Sequence, residues 1–226
     1  MHNINIREEV RDRVLARRGR FNFFEGMDPA KTALIVIDMQ DTFCVEGGPA
    51  EVKKSRGIVP NINKLSSSLR ELGVPVIWVL HANTTNGDKS DWDLFYNHVV
   101  SGDLRQRTLA SNSPENQAVY GELVTDPADI TIIKNRYSAL TAGSSSLERV
   151  LRSRGIDTLL IAGTKTNICC ESTARDAMMM DFKVTLLSDC CAALSDQEHL
   201  AAMENIIQQF GNVLSSNEAL EMLRAE

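Results

Sequence analysis

Cys169 stands where a strand turns into a helix. The apolar run Thr158-Leu159-Leu160-Ile161-Ala162 leads into Gly163-Thr164-Lys165-Thr166-Asn167-Ile168-Cys169-Cys170, and a helix-compatible run, Glu171 to Met180, leaves it. A thiol attacks as its thiolate, and a helix N-terminus stabilises an anion. This placement, with a cation nearby, is expected to lower the cysteine's pKa. Two further polar residues close apolar runs: Asp38 follows Ala33-Leu34-Ile35-Val36-Ile37, and Lys134 follows Ile132-Ile133. Taken singly, Asp38 reads as a cap or loop carboxylate, Lys134 as a lysine with its stem on the surface, and Cys169 as a small buried hydrophobe. Taken together they supply a nucleophile, a proton acceptor and a cation. Asp38 would accept the thiol proton and return it to a leaving amine, Lys134 would hold the carboxylate, and backbone N–H groups around Thr166 to Cys169 would hold an oxyanion. The chemistry is acyl transfer to water through a thioester, which is the hydrolysis of an amide or related C–N bond. By residue type alone, Cys170 competes with Cys169 for the nucleophile's place.

The elements that must position these groups alternate between strand and helix. Strands are expected at 33–37, 75–80, 129–134, 158–162 and 183–187, with a short last one at 213–214. Helices are expected at 5–19, 59–72, 147–154, 171–180, 200–210 and 217–224. The strand at 33–37 shows little alternation, as a strand buried on both faces should. This order predicts an α/β fold, a mostly parallel sheet between two helical layers with right-handed crossovers and a site at the carboxyl ends of the strands. From His81 to Asn116 the pattern is weak, with Trp92, Phe95 and Tyr96 among frequent Asn, Asp, Gly and Ser, and it reads as a long functional loop.

Composition narrows the setting. A chain of 226 residues with 43% hydrophobic content suits one compact domain, 1–226, with 1–28 as an N-terminal helical extension. No run reaches the roughly 18 uninterrupted apolar residues of a membrane span, and the charged start does not read as a secretory signal, so a cytoplasmic protein without membrane contact is expected. The net charge is -6, and Glu8, Glu9 and Asp12 interleave with the N-terminal arginines, which points away from a nucleic-acid arm. The five cysteines (Cys44, Cys169, Cys170, Cys190 and Cys191) show neither a disulfide framework nor CxxC spacing and read as reduced thiols.

Three ordered blocks resemble the isochorismatase-like cysteine hydrolases: Ala33 to Asp41, Lys134-Asn135-Arg136-Tyr137-Ser138-Ala139, and Gly163 to Ala177. The resemblance runs from residue 31 to about 215. It implies a Rossmann-like three-layer αβα fold and an Asp38, Lys134, Cys169 triad, with Cys169 rather than Cys170 as nucleophile. It also implies a cis peptide between Lys165 and Thr166, beside the oxyanion donors at Lys165, Thr166 and Cys169, and a homodimer or homotetramer. Nicotinamidases of this superfamily hold a metal with an Asp and two His after the first strand. None of His2, His81, His98 and His199 lies between Asp38 and the second strand, so neither a metal nor a cofactor is expected.

The blocks at Lys134-x-Arg136-Tyr137-Ser138 and Leu151 to Ile156 look like the ureidoacrylate amidohydrolase and biuret hydrolase branch. That implies a small carbamoyl, ureido or amide substrate, with hydrogen bonds from Gln40, His81, Asn83 and Tyr137. Phe43, Trp78 and Trp92 are candidate pocket walls. Lys165 departs from the small residue common at its position and either faces a substrate carboxylate or points to solvent. The alternatives are an isochorismatase-type hydrolase of vinyl ethers and a catalytically silent small-molecule binder.

Overall fold

The computed structural model describes residues 2–87 and 89–224. In chain order the elements are α1 (Glu8–Arg18), β1 (Thr32–Ile37), α2 (Asp41–Cys44), α3 (Val59–Glu71), β2 (Val76–His81), β3 (Thr85–Asn86), β4 (Lys89–Ser90), α4 (Asp93–His98), α5 (Gly102–Ser111), β5 (Ile130–Lys134), α6 (Leu147–Ser153), β6 (Thr158–Thr164), α7 (Glu171–Met179), β7 (Lys183–Ala192), α8 (Asp196–Gln209), β8 (Asn212–Leu214) and α9 (Ser216–Arg224). Six strands form one parallel sheet in the order β5-β2-β1-β6-β7-β8. β3 and β4 make a small separate hairpin.

β1 is buried along its whole length because it feeds both helical layers. Leu34 and Val36 pack with Trp78, Ile62 and Leu65 of α3, and Leu220 of α9. Ala33, Ile35 and Ile37 pack with Leu151 of α6, Ala174 of α7 and Met203 of α8. Successive strand residues point to opposite faces, so a sheet covered on both sides needs apolar residues at every position. From β1 the chain moves outward to β2 and β5, then returns to place β6 on the other side of β1. That reversal opens a crevice beyond the strands' carboxyl ends. Gly163 lets β6 lie close against β1 there, since a Cβ on it would sit 2.0 Å from the Ile37 carbonyl oxygen.

Several expected boundaries move, with β6 running on to Thr164 and α8 starting at Asp196. β7 continues past Leu187 to Ala192, because after a register shift Gly163 and Thr164 of β6 pair with Cys191 and Ala192. Residues 81–116 fold into the hairpin and two short helices rather than a long loop. α4 buries only Tyr96 and α5 only Thr108, so neither carries the apolar stripe that marks a helix in sequence. α1 spends its apolar positions, Val10 and Val14, within the chain. It is held to α8 by Arg7, whose guanidinium donates to the Glu204 carboxylate at 3.0 and 2.6 Å. No helix among the described residues is long and apolar enough to cross a membrane.

Candidate active site

Asp38, Lys134 and Cys169 arrive from three places at the carboxyl edge of the sheet. Asp38 follows β1, and its N–H donates to the Val79 carbonyl at 2.8 Å. Its backbone is left-handed, with φ at 55°, a conformation that Asp tolerates better than most residues. Lys134 closes β5, which is separated from β1 by β2. Two strand spacings are about 10 Å, so a long side chain is needed to cross the end of β2. Lys134 makes that crossing: its Nζ lies 2.9 Å from Asp38 Oδ2, and both side chains are fully buried. On the way it donates to His81 Nδ1 at 3.1 Å and to the Arg136 carbonyl at 3.0 Å.

Cys169 sits in a five-residue π turn, Thr166–Cys170, between β6 and α7. Thr173, one turn into α7, donates to the Cys169 carbonyl at 2.7 Å and accepts from the Ala139 N–H at 3.1 Å, fixing the turn to the segment after β5. The Cys169 thiol and the Asp38 carboxylate lie close enough that each shifts the other's protonation, while Cys170 turns into the core, with its sulfur 3.8 Å from the Ala162 carbonyl oxygen. The Thr166 hydroxyl donates to His199 Nδ1 at 2.8 Å, and His199 Nε2 donates to the Ser188 carbonyl at 3.1 Å. These bonds require the neutral Nε2–H tautomer, in keeping with a His199 pKa lowered to about 3, chiefly by burial.

Burial controls the protonation of the cluster. It pushes the Asp38 carboxyl above the ordinary range, opposed by Lys134 and by the hydrogen bond with Cys169. It also pushes the Cys169 thiol well above its usual value, helped by the negative charge of Asp38. The expected lowering at a helix N-terminus is therefore reversed, because desolvation and a neighbouring carboxylate outweigh the turn and the lysine. Burial works to lower the Lys134 pKa too, but the adjoining Asp38 and Cys169 overcome it and the net shift is upward. His81 is driven well below its usual value, first by burial and then by the Lys134 charge. It is thus a neutral acceptor for the ammonium.

A cavity of about 250 Å³ opens over Cys169. Phe43, His81, Tyr137 and Lys165 line it with Cys169, and so do Trp92, Phe95, Val99, Leu104 and Thr108 from the 92–108 segment. Gln40 and Asn83, expected as substrate contacts, do not line it. The Gln40 amide bridges β2, donating to the His81 carbonyl at 3.0 Å and accepting the His81 N–H at 2.7 Å. Asn83 Oδ1 accepts from His81 Nε2 at 2.6 Å and from the Tyr96 hydroxyl at 3.0 Å, and its Nδ2 donates to Asp91 at 2.7 Å. Both residues hold the strand end that carries His81. Trp78 lies in the core with its indole N–H donating to Asp129 at 2.8 Å. The cis peptide joins Thr164 to Lys165, one residue earlier than expected, because β6 extends through Thr164 and the chain reverses at its end. Among the described residues, no group of three or more His, Cys, Asp or Glu side chains is placed to hold a metal ion.

Comparison with known proteins places this architecture. The isochorismatase domain model matches residues 32–218, which include Asp38, Lys134 and Cys169. The chain belongs to the isochorismatase family of hydrolases. It is 34% identical over 171 residues to a probable inactive nicotinamidase of Arabidopsis thaliana, covering 75% of this chain and 85% of that protein. It is 33% identical over 215 residues to a ureidoacrylate amidohydrolase of Pseudomonas savastanoi pv. phaseolicola, covering 84% of this chain and 82% of that one. The crystal structure of a cysteine hydrolase from Pseudomonas syringae pv. phaseolicola superposes with a TM-score of 0.78 at 30% identity, over 91% of this chain and 98% of the other. This isochorismatase-family sheet, with helices on both faces, is the fold of those neighbours.

The cavity's helical wall was not expected from sequence. Val99, Val100, Leu104, Thr108, Asn112 and Ile168 all line it. The signs in sequence that the 81–116 segment faces the site are its weak pattern, its aromatics Trp92 and Phe95, and His81 at its start.

Proposed function

We propose that the protein is a cysteine-dependent amidohydrolase that cleaves a C–N bond of a small amide, carbamoyl or ureido compound. The observation that carries this reading is the Cys169 thiol on the cavity floor against the Asp38 carboxylate, which Lys134 holds at 2.9 Å in a fully buried pair. A ureidoacrylate amidohydrolase at 33% identity supports the same reaction class.

In the resting site Lys134 is an ammonium, Asp38 a carboxylate and Cys169 a thiol. As sulfur attacks the carbonyl carbon, Asp38 takes the thiol proton and a C–S bond forms. The oxyanion meets backbone N–H groups at Lys165, Thr166 and Cys169; those of Ile168 and Cys170 already donate to the Lys165 carbonyl, at 3.1 and 3.2 Å. Asp38 then gives its proton to the leaving nitrogen and the C–N bond breaks, leaving a thioester, or a thiocarbamate from a ureide. Water attacks that carbonyl as Asp38 accepts one of its protons. The C–S bond breaks and the proton returns to sulfur. The balance is substrate plus water giving acid plus amine or ammonia. Lys134 stays protonated, and its raised pKa fits that role.

A second reading, ligand binding without turnover, is favoured by one observation, the Arabidopsis relative described as a probable inactive nicotinamidase. Ammonia release from a panel of primary amides, N-carbamoyl compounds and ureidoacrylate separates the two. Release that vanishes in Cys169→Ser and Asp38→Asn is expected. Saturable binding without release across the whole panel would favour the silent reading.

A further inference from the structure

Resting on the amidohydrolase reading, we propose that the cavity selects a substrate combining an apolar, ring-sized body with a carboxylate, and that the Lys165 ammonium pairs with that carboxylate. The walls carry the first half of the inference. Trp92 and Phe95 stack at 4.9 Å between ring centroids, and Tyr137 meets Trp92 edge-on at 4.7 Å. Phe43, Val99 and Leu104 extend the apolar lining, the last two to its solvent-exposed edge. Desolvating a small, wholly polar ureide against such walls gains little, whereas an aromatic or branched aliphatic body gains about 25 cal/mol per Å² of apolar surface removed from water. At about 250 Å³ the cavity admits roughly one ring and its substituents, below the usual span of drug-sized sites.

The polar groups carry the second half. Lining residues that could bind a ligand are mostly spent inside the protein. His81 serves Lys134 and Asn83. The Asn112 side chain accepts from the Thr42 hydroxyl at 3.1 Å and donates to the Tyr96 hydroxyl at 3.4 Å. The Tyr137 hydroxyl and the Trp92 indole N–H remain free for a ligand, and two further groups, one of them charged, have no such engagement among the described residues. The Thr108 hydroxyl is buried in the cavity wall without a hydrogen bond. The Lys165 ammonium forms no ion pair or hydrogen bond and no Asp or Glu lines the cavity with it; the anion its charge reaches is Asp38, which Lys134 already holds. A buried hydroxyl and a half-buried cation left open in one apolar cavity are costly unless a ligand satisfies them. A carboxylate answers the cation, and a further polar atom of the same ligand answers Thr108.

Four N-carbamoyl probes form a square that tests this: N-carbamoylphenylalanine (ring and carboxylate), phenethylurea (ring alone), N-carbamoylglycine (carboxylate alone) and methylurea (neither). Affinities are measured by calorimetry on full-length Cys169→Ser, and ammonia release on the wild-type protein. N-carbamoylphenylalanine should bind at least tenfold more tightly than each of the others. Adding Lys165→Met should reduce it to the level of phenethylurea while phenethylurea keeps its Kd, and Lys165→Arg should restore the preference. Equal binding of ring-bearing and ring-free acids would overturn the inference, as would equal weakening of phenethylurea and N-carbamoylphenylalanine by Lys165→Met. Ammonia release without either preference would leave the amidohydrolase reading standing and remove this inference. Tight, Lys165-dependent binding with no ammonia from any probe would do the reverse. No binding and no release would remove both.

Discussion

The floor and the wall of the cavity are built on different principles. The floor residues Asp38, Lys134 and Cys169 are anchored at the carboxyl ends of two central strands, β1 and β6, and the edge strand β5, and they are buried and held to neighbours by short contacts. The wall from Trp92 to Thr108 is carried by two short helices that bury one residue each and leave Leu94 and Val99 73% and 63% exposed. Reactive groups need geometry held by packing on every side. A selecting wall needs only to exclude water and match a shape, and such weakly packed segments belong to the low-stability end of a structure. The contrast implies that damage to the floor removes chemistry and damage to the wall changes preference.

The largest expected break is at the proposed nucleophile. Cys169→Ser should lower kcat by about 10⁴-fold or more, since a buried alcohol is far harder to ionise than a thiol, with little change in substrate Kd measured directly. Next comes Asp38→Asn. It removes the proton acceptor and strands the Lys134 ammonium in a fully buried site, so unfolding free energy from urea titration should fall by about 3–5 kcal/mol together with activity. A charge on the surface would not produce that double loss.

Acid pH sharpens the comparison further. His199, behind the floor, has a folded-state pKa of about 3 against an ordinary value of 6.5. Between those values the unfolded chain binds the proton and the folded chain does not, so stability is full above 6.5 and is lost as pH falls towards 3. At about 1.4 kcal/mol per unit this amounts to a few kcal/mol, and His199→Gln should flatten the slope in urea titrations run across that range. Activity should have its own acid limb. The raised Asp38 carboxyl is protonated at a pH above the ordinary carboxylate range, so kcat/KM should fall with pH before most surface carboxylates titrate.

The smallest effects belong to the wall. Phe95→Ala should raise KM for a ring-bearing substrate by about tenfold, and Val99→Ser by a few fold. The Val99 change should alter stability by no more than about 0.5 kcal/mol, because the side chain is mostly in water. A wall substitution that abolished kcat at saturating substrate would break the division between the two regions.

Sequence reading reached the floor and the aromatic part of the wall, Phe43 and Trp92, and stopped at the helical part for a physical reason. A central parallel strand must be apolar on both faces, so Asp38 stands out after β1 and the turn at Cys169 after β6, whereas β5 is a half-exposed edge strand and Lys134 is marked only as the charge that closes Ile132-Ile133. The helical part of the wall has no such contrast, since α4 and α5 are short and half-solvated. The direction of the Cys169 shift was also hidden. Local position suggests an activated thiolate, but full burial beside Asp38 is a property of the assembled site. Gln40 and Asn83 show the same limit: their types suit a ligand, and only the fold reveals that both are used to hold His81.

The most direct test of the central claim is the covalent intermediate itself. Wild-type protein mixed with a turned-over amide or ureide, quenched in acid within the first turnover and mapped by peptide mass spectrometry, should carry the acyl or carbamoyl mass on Cys169. The adduct should be absent from Cys169→Ser and should persist in Cys170→Ser. The same mass on Cys170, or turnover at wild-type rate with no adduct on Cys169 at any quench time, would contradict the account.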